Sequence, residues 1–427
     1  MKKTLCMIVF STFSLLAGTD DSFLLRGGTV HPVSGADIAN GAVLVRDGKI
    51  VEVGPKVAPP KGVRVIDVRG LHVYPGMIDS ATEIGLSEIG SVRETSDTAE
   101  IGDFNPQLRA IVAVNPASEH IPVTRANGIT SVIAAPSGGI VSGQAALIHL
   151  DGWTWQEMGI RPSAAMLLQF PVLQVASRRF AVEIPGEDRP RATLAEARRN
   201  YERRIQRLRE FFEQARRYRK AKAAGAPGFE TDLKLEAMLP VLEGKLPLVV
   251  HAERERAIRE AIRFAEQEKL HIVIAEATEA WKVAADLKAK NIPLILGRTL
   301  ELPLEEDDPY DKPFTAPGEL YQAGVKFAFG SFGNQFARNL PYQAATAVAF
   351  GLPYQEALKA VTLNAAEIWG ASDQIGSIEN GKWADLIVTD GDPLETRTQI
   401  KQEFIKGKAV DLENKQRRLY EKYLSRP

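Results

Sequence analysis

The sequence predicts an α/β protein in which a (β/α)8 barrel of the TIM type carries a β-sandwich assembled from both ends of the chain. Three observations lead there. Residues 23 to 73 are short apolar runs separated by turn residues, the same texture returns after Asn380-Gly381, and the stretch between alternates apolar strands with amphipathic helices. A chain of 427 residues with 44% hydrophobic content can bury a core of that size.

In chain order the first element is a leader. Lys2 and Lys3 precede an apolar stretch from Leu5 to Ala17, followed by Gly18, Thr19, Asp20 and Asp21, the layout of a signal peptide over residues 1 to 22. The stretch is shorter than the ~20 residues that span a bilayer, and Thr19 stands where a lipoprotein would carry cysteine. The only cysteine, Cys6, falls inside the leader, so the mature chain is expected to form no disulfide and to offer no thiolate. A soluble, periplasmic or secreted protein is the expectation.

Next come the small strands. Leu24-Leu25-Arg26-Gly27-Gly28, Ala42 to Val45, Asp47-Gly48 and Ile50 to Gly54 read as antiparallel strands and hairpin turns, and Ala384 to Val388 and Phe404 to Val410 read the same way. Residues 23–73 with 375–410 are therefore expected to form one sandwich around a barrel over 74–370, with a helical tail over 411–427. Barrel strands are predicted at Val73 to Ile78, Ser131 to Ala135, Met166 to Phe170, Leu246 to His251, His271 to Ala275, Ile292 to Leu296 and Val325 to Phe329. The eighth is expected near Ala145 to Leu150.

Residues 191 to 223 open with a Thr193-x-x-Glu196 capping box and place Leu194, Ala197, Tyr201, Ile205, Leu208 and Phe212 at helical spacing among many arginines. Two readings stand: a docking helix for a partner or anionic surface, and a solvated helix packed on the barrel exterior. A formal net charge of -1 removes the electrostatic case for nucleic acid as the main partner, leaving a small molecule or a protein.

Pro75-Gly76-Met77-Ile78-Asp79-Ser80-Ala81-Thr82-Glu83 resembles the first barrel strand of the metal-dependent amidohydrolase superfamily, which runs Pro-Gly-(apolar)-Ile-Asp-x-His-x-His. Near the other end, Glu356 to Gly370 followed by Ile375 to Leu386 resembles the closing signature of its imidazolonepropionase-like branch. The resemblance covers nearly the whole mature chain and implies a barrel with a composite sandwich that hydrolyses C–N bonds in cyclic amides or dipeptides. Fold alone does not fix chemistry.

Compared position by position, the resemblance implies a depleted metal site. Ala81 and Glu83 stand for the two strand histidines, His251 keeps a metal-binding histidine, Glu276 stands for another, and the proton-accepting aspartate falls at Phe332, or at Ser331 in a register shifted by one. In such enzymes the cation lowers the pKa of water from about 15.7 toward 7 while a carboxylate moves the proton to the leaving nitrogen. His251, Glu83 and Glu276 are the candidate ligands for one divalent metal (Zn, Mn or Fe) if they converge. The other reading gives them hydrogen-bonding roles in a metal-free cavity.

No residue is assigned as a catalytic base. Asn334, Arg338 and Asn339, after the last strand, are candidates for binding a substrate carboxylate, and the loop Pro136 to Gln144 offers backbone amides and hydroxyls. His31, His72, His120, His149 and His271 show no ligand spacing and are expected to be structural, His72 on the sandwich side. A serine or cysteine hydrolase is excluded by the absence of a Gly-x-Ser-x-Gly elbow and of a mature thiol. The functions left are a hydrolase with weak or lost activity, and a non-catalytic partner of an active homologue or small-ligand binder; a homo-oligomer is compatible with either.

Overall fold

The computed structural model describes residues 22–173, 193–225 and 227–426. The leader, save Ser22, lies outside the described residues, as do the first two positions of the 191–223 insertion. The first sheet begins with β1 (Phe23–Val30), β2 (Ile38–Arg46), β3 (Lys49–Gly54), β4 (Arg64–Asp67) and β5 (His72–Pro75). Along one edge β1 serves two parallel neighbours in turn, pairing Phe23 to Arg26 with β4 and Thr29-Val30 with β5. Gly27 sits at the changeover with φ +93°, where an added Cβ would lie 2.6 Å from Arg69 Cγ.

The barrel follows: β6 (Met77–Thr82), α1 (His120–Arg125), β7 (Ile129–Ala134), β8 (Val141–His149), α2 (Trp155–Met158), β9 (Gly159–Gln169), α3 (Leu194–Ala223), α4 (Leu233–Leu242), β10 (Leu248–Ala252), α5 (Glu255–Glu268), β11 (Ile272–Glu276), α6 (Ala284–Ala289), β12 (Leu294–Leu296), α7 (Lys312–Gln322), β13 (Phe327–Phe329), α8 (Leu340–Ala349), α9 (Tyr354–Ala360) and α10 (Leu363–Ile368). The chain then returns to the first sheet as β14 (Leu386–Thr389), β15 (Ile400–Ile405) and β16 (Lys408–Ala409) and ends in α11 (Lys415–Leu424). The strand order β16-β15-β14-β5-β1-β2-β3 joins the two chain ends in one sheet. Phe23 on β1 and Phe404 on β15 are three places apart in that order, yet their rings stack at 4.4 Å. At about 4.8 Å per strand a flat sheet would hold them far apart, so the sheet folds over itself into a sandwich around Leu25, Val43, Val73, Leu386 and Val388.

Three strands differ from expectation, the simplest being β9, which starts at Gly159 rather than Met166. The run Val73 to Ile78 is not one strand, because Gly76 breaks it: β5 stays in the sandwich and β6 starts the barrel. A Cβ on Gly76 would lie 2.1 Å from the Thr130 hydroxyl, so only glycine fits at this crossing. The eighth strand is longer than expected and antiparallel to both β7 and β9. The chain reverses between Ala134 and Val141, with Gly138 at φ +82° and Gly139 at φ +65°, too short a link for the helical crossover that parallel neighbours require.

Inward-facing Ile78, Ile133, Leu147, Leu167, Val249, Val273, Ile295 and Ala328 fill the barrel, and helices pack outside it. The last seam, between β13 and β6, is closed by single bonds: Phe332 N–H donates to Ala81 O at 2.8 Å and Ser331 N–H to Asp79 Oδ1 at 2.9 Å. The capping box of α3 forms as expected, and the helix buries Leu208, Phe211, Phe212, Ala215 and Tyr218. Phe212 packs edge-on against Phe264 of α5 at 5.6 Å, so the apolar stripe is spent on the barrel exterior.

Candidate active site at the barrel mouth

Catalytic groups in such barrels sit at the C-terminal strand ends. His251, on β10, keeps a side chain only 11% exposed, with Nδ1 3.9 Å from Glu276 Oε1 at the end of β11. The Phe332 ring meets the His251 ring edge-on, 5.9 Å between centroids and 82° between planes. Glu276 and Phe332 both have left-handed backbones, φ +68° and +51°. Such conformations cost non-glycine residues roughly 1–3 kcal/mol and gather at functional sites.

Glu83 is half-buried, and burial alone pushes its carboxyl up from the usual carboxylate range. It forms no ion pair with His251 or any other described residue. Among the described residues, no three His, Cys, Asp or Glu side chains form a group that could hold a metal ion. Ala81, beside the seam, contributes only a methyl group.

Three groups that sequence reasoning passed over belong to this end of the barrel. Asp79 is fully buried; its Oδ1 accepts from Ala81 N–H at 3.2 Å and Ser331 N–H at 2.9 Å, while Oδ2 has no partner. Burial pushes its pKa up to about 7 against those two bonds. Glu253 is raised first by burial and next by the charge of Glu276, and it accepts from Thr278 Oγ1 at 3.4 Å. The third, Arg298, pairs with Glu301 at 2.6 Å. Glu253 lies two residues beyond His251, so strand periodicity could have found it. A cavity of about 650 Å³ opens here, lined by Glu253, Glu276, Arg298, Tyr310 and Phe332 among others. Glu276→Gln removes the charge that raises Glu253, so the Glu253 carboxyl should titrate at lower pH in the variant by carbon-detected NMR; an unchanged or higher midpoint would contradict this electrostatic picture.

The three residues predicted to bind a substrate carboxylate lie elsewhere. Asn334 is 8% exposed and spends its amide on Ser87 O at 2.6 Å. Arg338 lines a groove with Asn127, Tyr342 and Tyr420, its own carbonyl accepting from Asn127 Nδ2 at 2.8 Å. Asn339 follows in the same short turn, its N–H bonded to Phe336 O. None of the three lines the cavity at the mouth, and the turn that holds Arg338 and Asn339 packs beside α1. Four of the histidines outside the mouth are held by neighbours: His31 Nε2 and His72 Nδ1 lie 2.9 Å apart, His120 Nε2 bonds Glu88 O at 3.0 Å, and His149 Nε2 bonds Asp385 Oδ2 at 2.8 Å.

With this geometry in place, comparisons with known proteins converge. Residues 72–410 match the amidohydrolase family. The chain is 27% identical over 400 residues to amidohydrolase tasK of Hapsidospora irregularis, covering 86% of this chain and 40% of that protein. It is also 27% identical to imidazolonepropionase of Deinococcus radiodurans, covering 83% of this chain and 86% of that one. A solved amidohydrolase from Thermotoga maritima MSB8 superposes with a TM-score of 0.77 at 30% identity, covering 91% of this chain and 99% of its own.

Proposed function

The chain belongs to the amidohydrolase family, on its imidazolonepropionase-like branch, and from that premise we propose that the barrel mouth binds a small cyclic amide or dipeptide while metal-dependent hydrolysis is weak or lost. The observation that carries this reading is Phe332. Its ring packs against His251 at the position where the family resemblance puts the proton-accepting aspartate, and a phenyl ring can neither accept a proton nor bind a cation through oxygen. Family members use divalent metals, but the donor set here does not fit such a centre: one imidazole and one carboxylate oxygen 3.9 Å apart, with a methyl group at Ala81 and Glu83 not grouped with them among the described residues. Zn, Mn or Fe held by His251, Glu276 and Glu83 would need those side chains to move. The residues present can bind and orient a ligand: Glu253 and Glu276 accept hydrogen bonds, and Tyr310 and Phe332 supply apolar wall.

The test is binding and turnover of a panel of dipeptides and cyclic amides by the purified protein, with its metal content measured alongside. Binding without turnover, lost on His251→Ala or Phe332→Ala, is expected. Stoichiometric metal with brisk turnover would sink the reading and leave a hydrolase with altered ligands. Pairing with an active homologue is the second form this function takes, supported by the same depleted set. The leader layout supports export to the periplasm, with N-terminal sequencing expected to find the mature chain starting between residues 17 and 23; Met1 intact on exported material would contradict it. Among the described residues no helix is long and apolar enough to cross a membrane.

A further inference from the structure

The floor of the barrel, opposite the mouth, holds a second buried polar centre. Glu403 lies mid-strand on β15, opposite Ile387 of β14. Asp385 shares the face of these two residues by strand alternation, and that face, with Ile387 and Ile405, packs on the barrel-floor residues Met77 and Ile129. Glu403 is 1% exposed, and neither carboxyl oxygen has a hydrogen-bond partner.

Its charged neighbours have partners of their own, although Arg125 Nε is left without one. Arg125 of α1 donates through Nη1 to Asp151 Oδ1 at 2.9 Å and to Leu150 O, and through Nη2 to Asp411 O at 3.2 Å. Asp385 receives His149 Nε2 at 2.8 Å and Lys406 N–H at 2.8 Å. The Lys406 ammonium donates to Glu157 O at 2.6 Å. On the outer side, a cleft of about 700 Å³ that reaches Glu403 is lined by Arg64, Lys401 and Arg417; Lys401 pairs with Asp390 and Arg417 with Glu413. A negative charge on Glu403 would therefore sit buried beside Asp385 and Asp151, with Arg125 as its nearest counterweight already shared.

We propose that Glu403 is carried as the neutral acid, and that its proton keeps β14 and β15 seated on the barrel floor, making this junction a pH-responsive joint. Burial first, then Asp385 and Asp151, push the Glu403 carboxyl well up, with Arg125 opposing. The folded chain thus holds a proton that the unfolded chain releases above about pH 4.5, so this group's contribution to stability falls as pH rises through its folded pKa. Glu403→Gln keeps the shape without the proton.

Thermal unfolding of the whole chain between pH 5 and 9 tests it. Wild type should lose midpoint as pH rises, Glu403→Gln should show a flatter profile, and amides of 386–389 and 400–405 should exchange faster at high pH in wild type only, after correction for the intrinsic rate. Parallel profiles for the two proteins would overturn the proposal. So would stabilisation by sodium, potassium or calcium that the Gln variant loses, because that marks an ionised Glu403 holding a cation. If the variant does not fold, infrared titration of a protein carrying Asp79→Asn, Glu83→Gln and Glu253→Gln decides: a neutral-carboxyl band persisting well above pH 4.5 supports the joint, and its absence refutes it.

Discussion

A variant carrying Ala81→His, Glu83→His, Glu276→His and Phe332→Asp is expected to purify with divalent metal bound and to hydrolyse amides faster than wild type. Its backbone is already shaped for those residues. Positions 276 and 332 have φ +68° and +51°, and histidine and aspartate are among the few side-chain types enriched in that left-handed region, whereas a bulky phenylalanine there is an outlier. By the resemblance, these are the positions where the family carries histidine and aspartate. The Phe332→Asp component should relieve strain while removing the ring from beside His251. Against a triple variant that keeps Phe332, the aspartate should raise turnover about 100- to 10,000-fold, the usual worth of general acid–base catalysis. Metal analysis and dipeptide turnover on the triple and quadruple variants measure this directly; a folded quadruple variant that takes up no zinc would show that the strand ends do not converge.

The second large effect concerns Asp79. Its pKa stands at about 7 in the fold against 3.8 in an open chain, a displacement of about three units, equivalent to about 4 kcal/mol. The sign follows from proton counting: between those two values the folded chain binds the proton and the unfolded chain does not, so stability falls as pH rises from about 4 to about 7 and then levels. Asp79→Asn keeps an acceptor for Ala81 and Ser331 N–H and carries no charge. It should be more stable than wild type at pH 8 by about 2 kcal/mol, allowing for the amide left unpaired at the Oδ2 position, and should lose most of the slope between pH 4 and 7. Asp79→Ala, which strips the seam bond from Ser331 N–H and the local bond from Ala81 N–H, should be destabilised instead. Denaturant titrations at pH 5 and pH 8 separate the cases; a larger loss for Asn at pH 8 than at pH 5 would reverse the assignment.

Much of the barrel was legible because buried strands are runs of apolar residues and His251 stands at the end of one. Strand direction was not. Nothing in Val141 to His149 says that it points down, and only the Gly138-Gly139 turn carries that information. The sandwich was readable from its texture, but Gly76 hides a change of sheet inside one apolar run, visible only through its clash with Thr130. At the mouth, residue types could be compared with the family one at a time. The direction taken by the loop of Asn334, Arg338 and Asn339 could not, since it depends on Ser87 and Asn127, over 200 positions away.

The reversed strand also bears on how the chain finds its fold. β7, β8 and β9 are joined by short links and pair as a continuous antiparallel meander, so their contacts close small loops at little entropic cost. The β6–β13 seam and the β5–β14 pairing must instead bring together residues some 250 and 300 positions apart, and contacts of long sequence separation form late. Pulse-labelling hydrogen exchange during refolding should therefore protect amides of 129–169 before those of 386–389. The meander would act as the template on which the rest of the barrel is laid, and the chain's two ends would meet last.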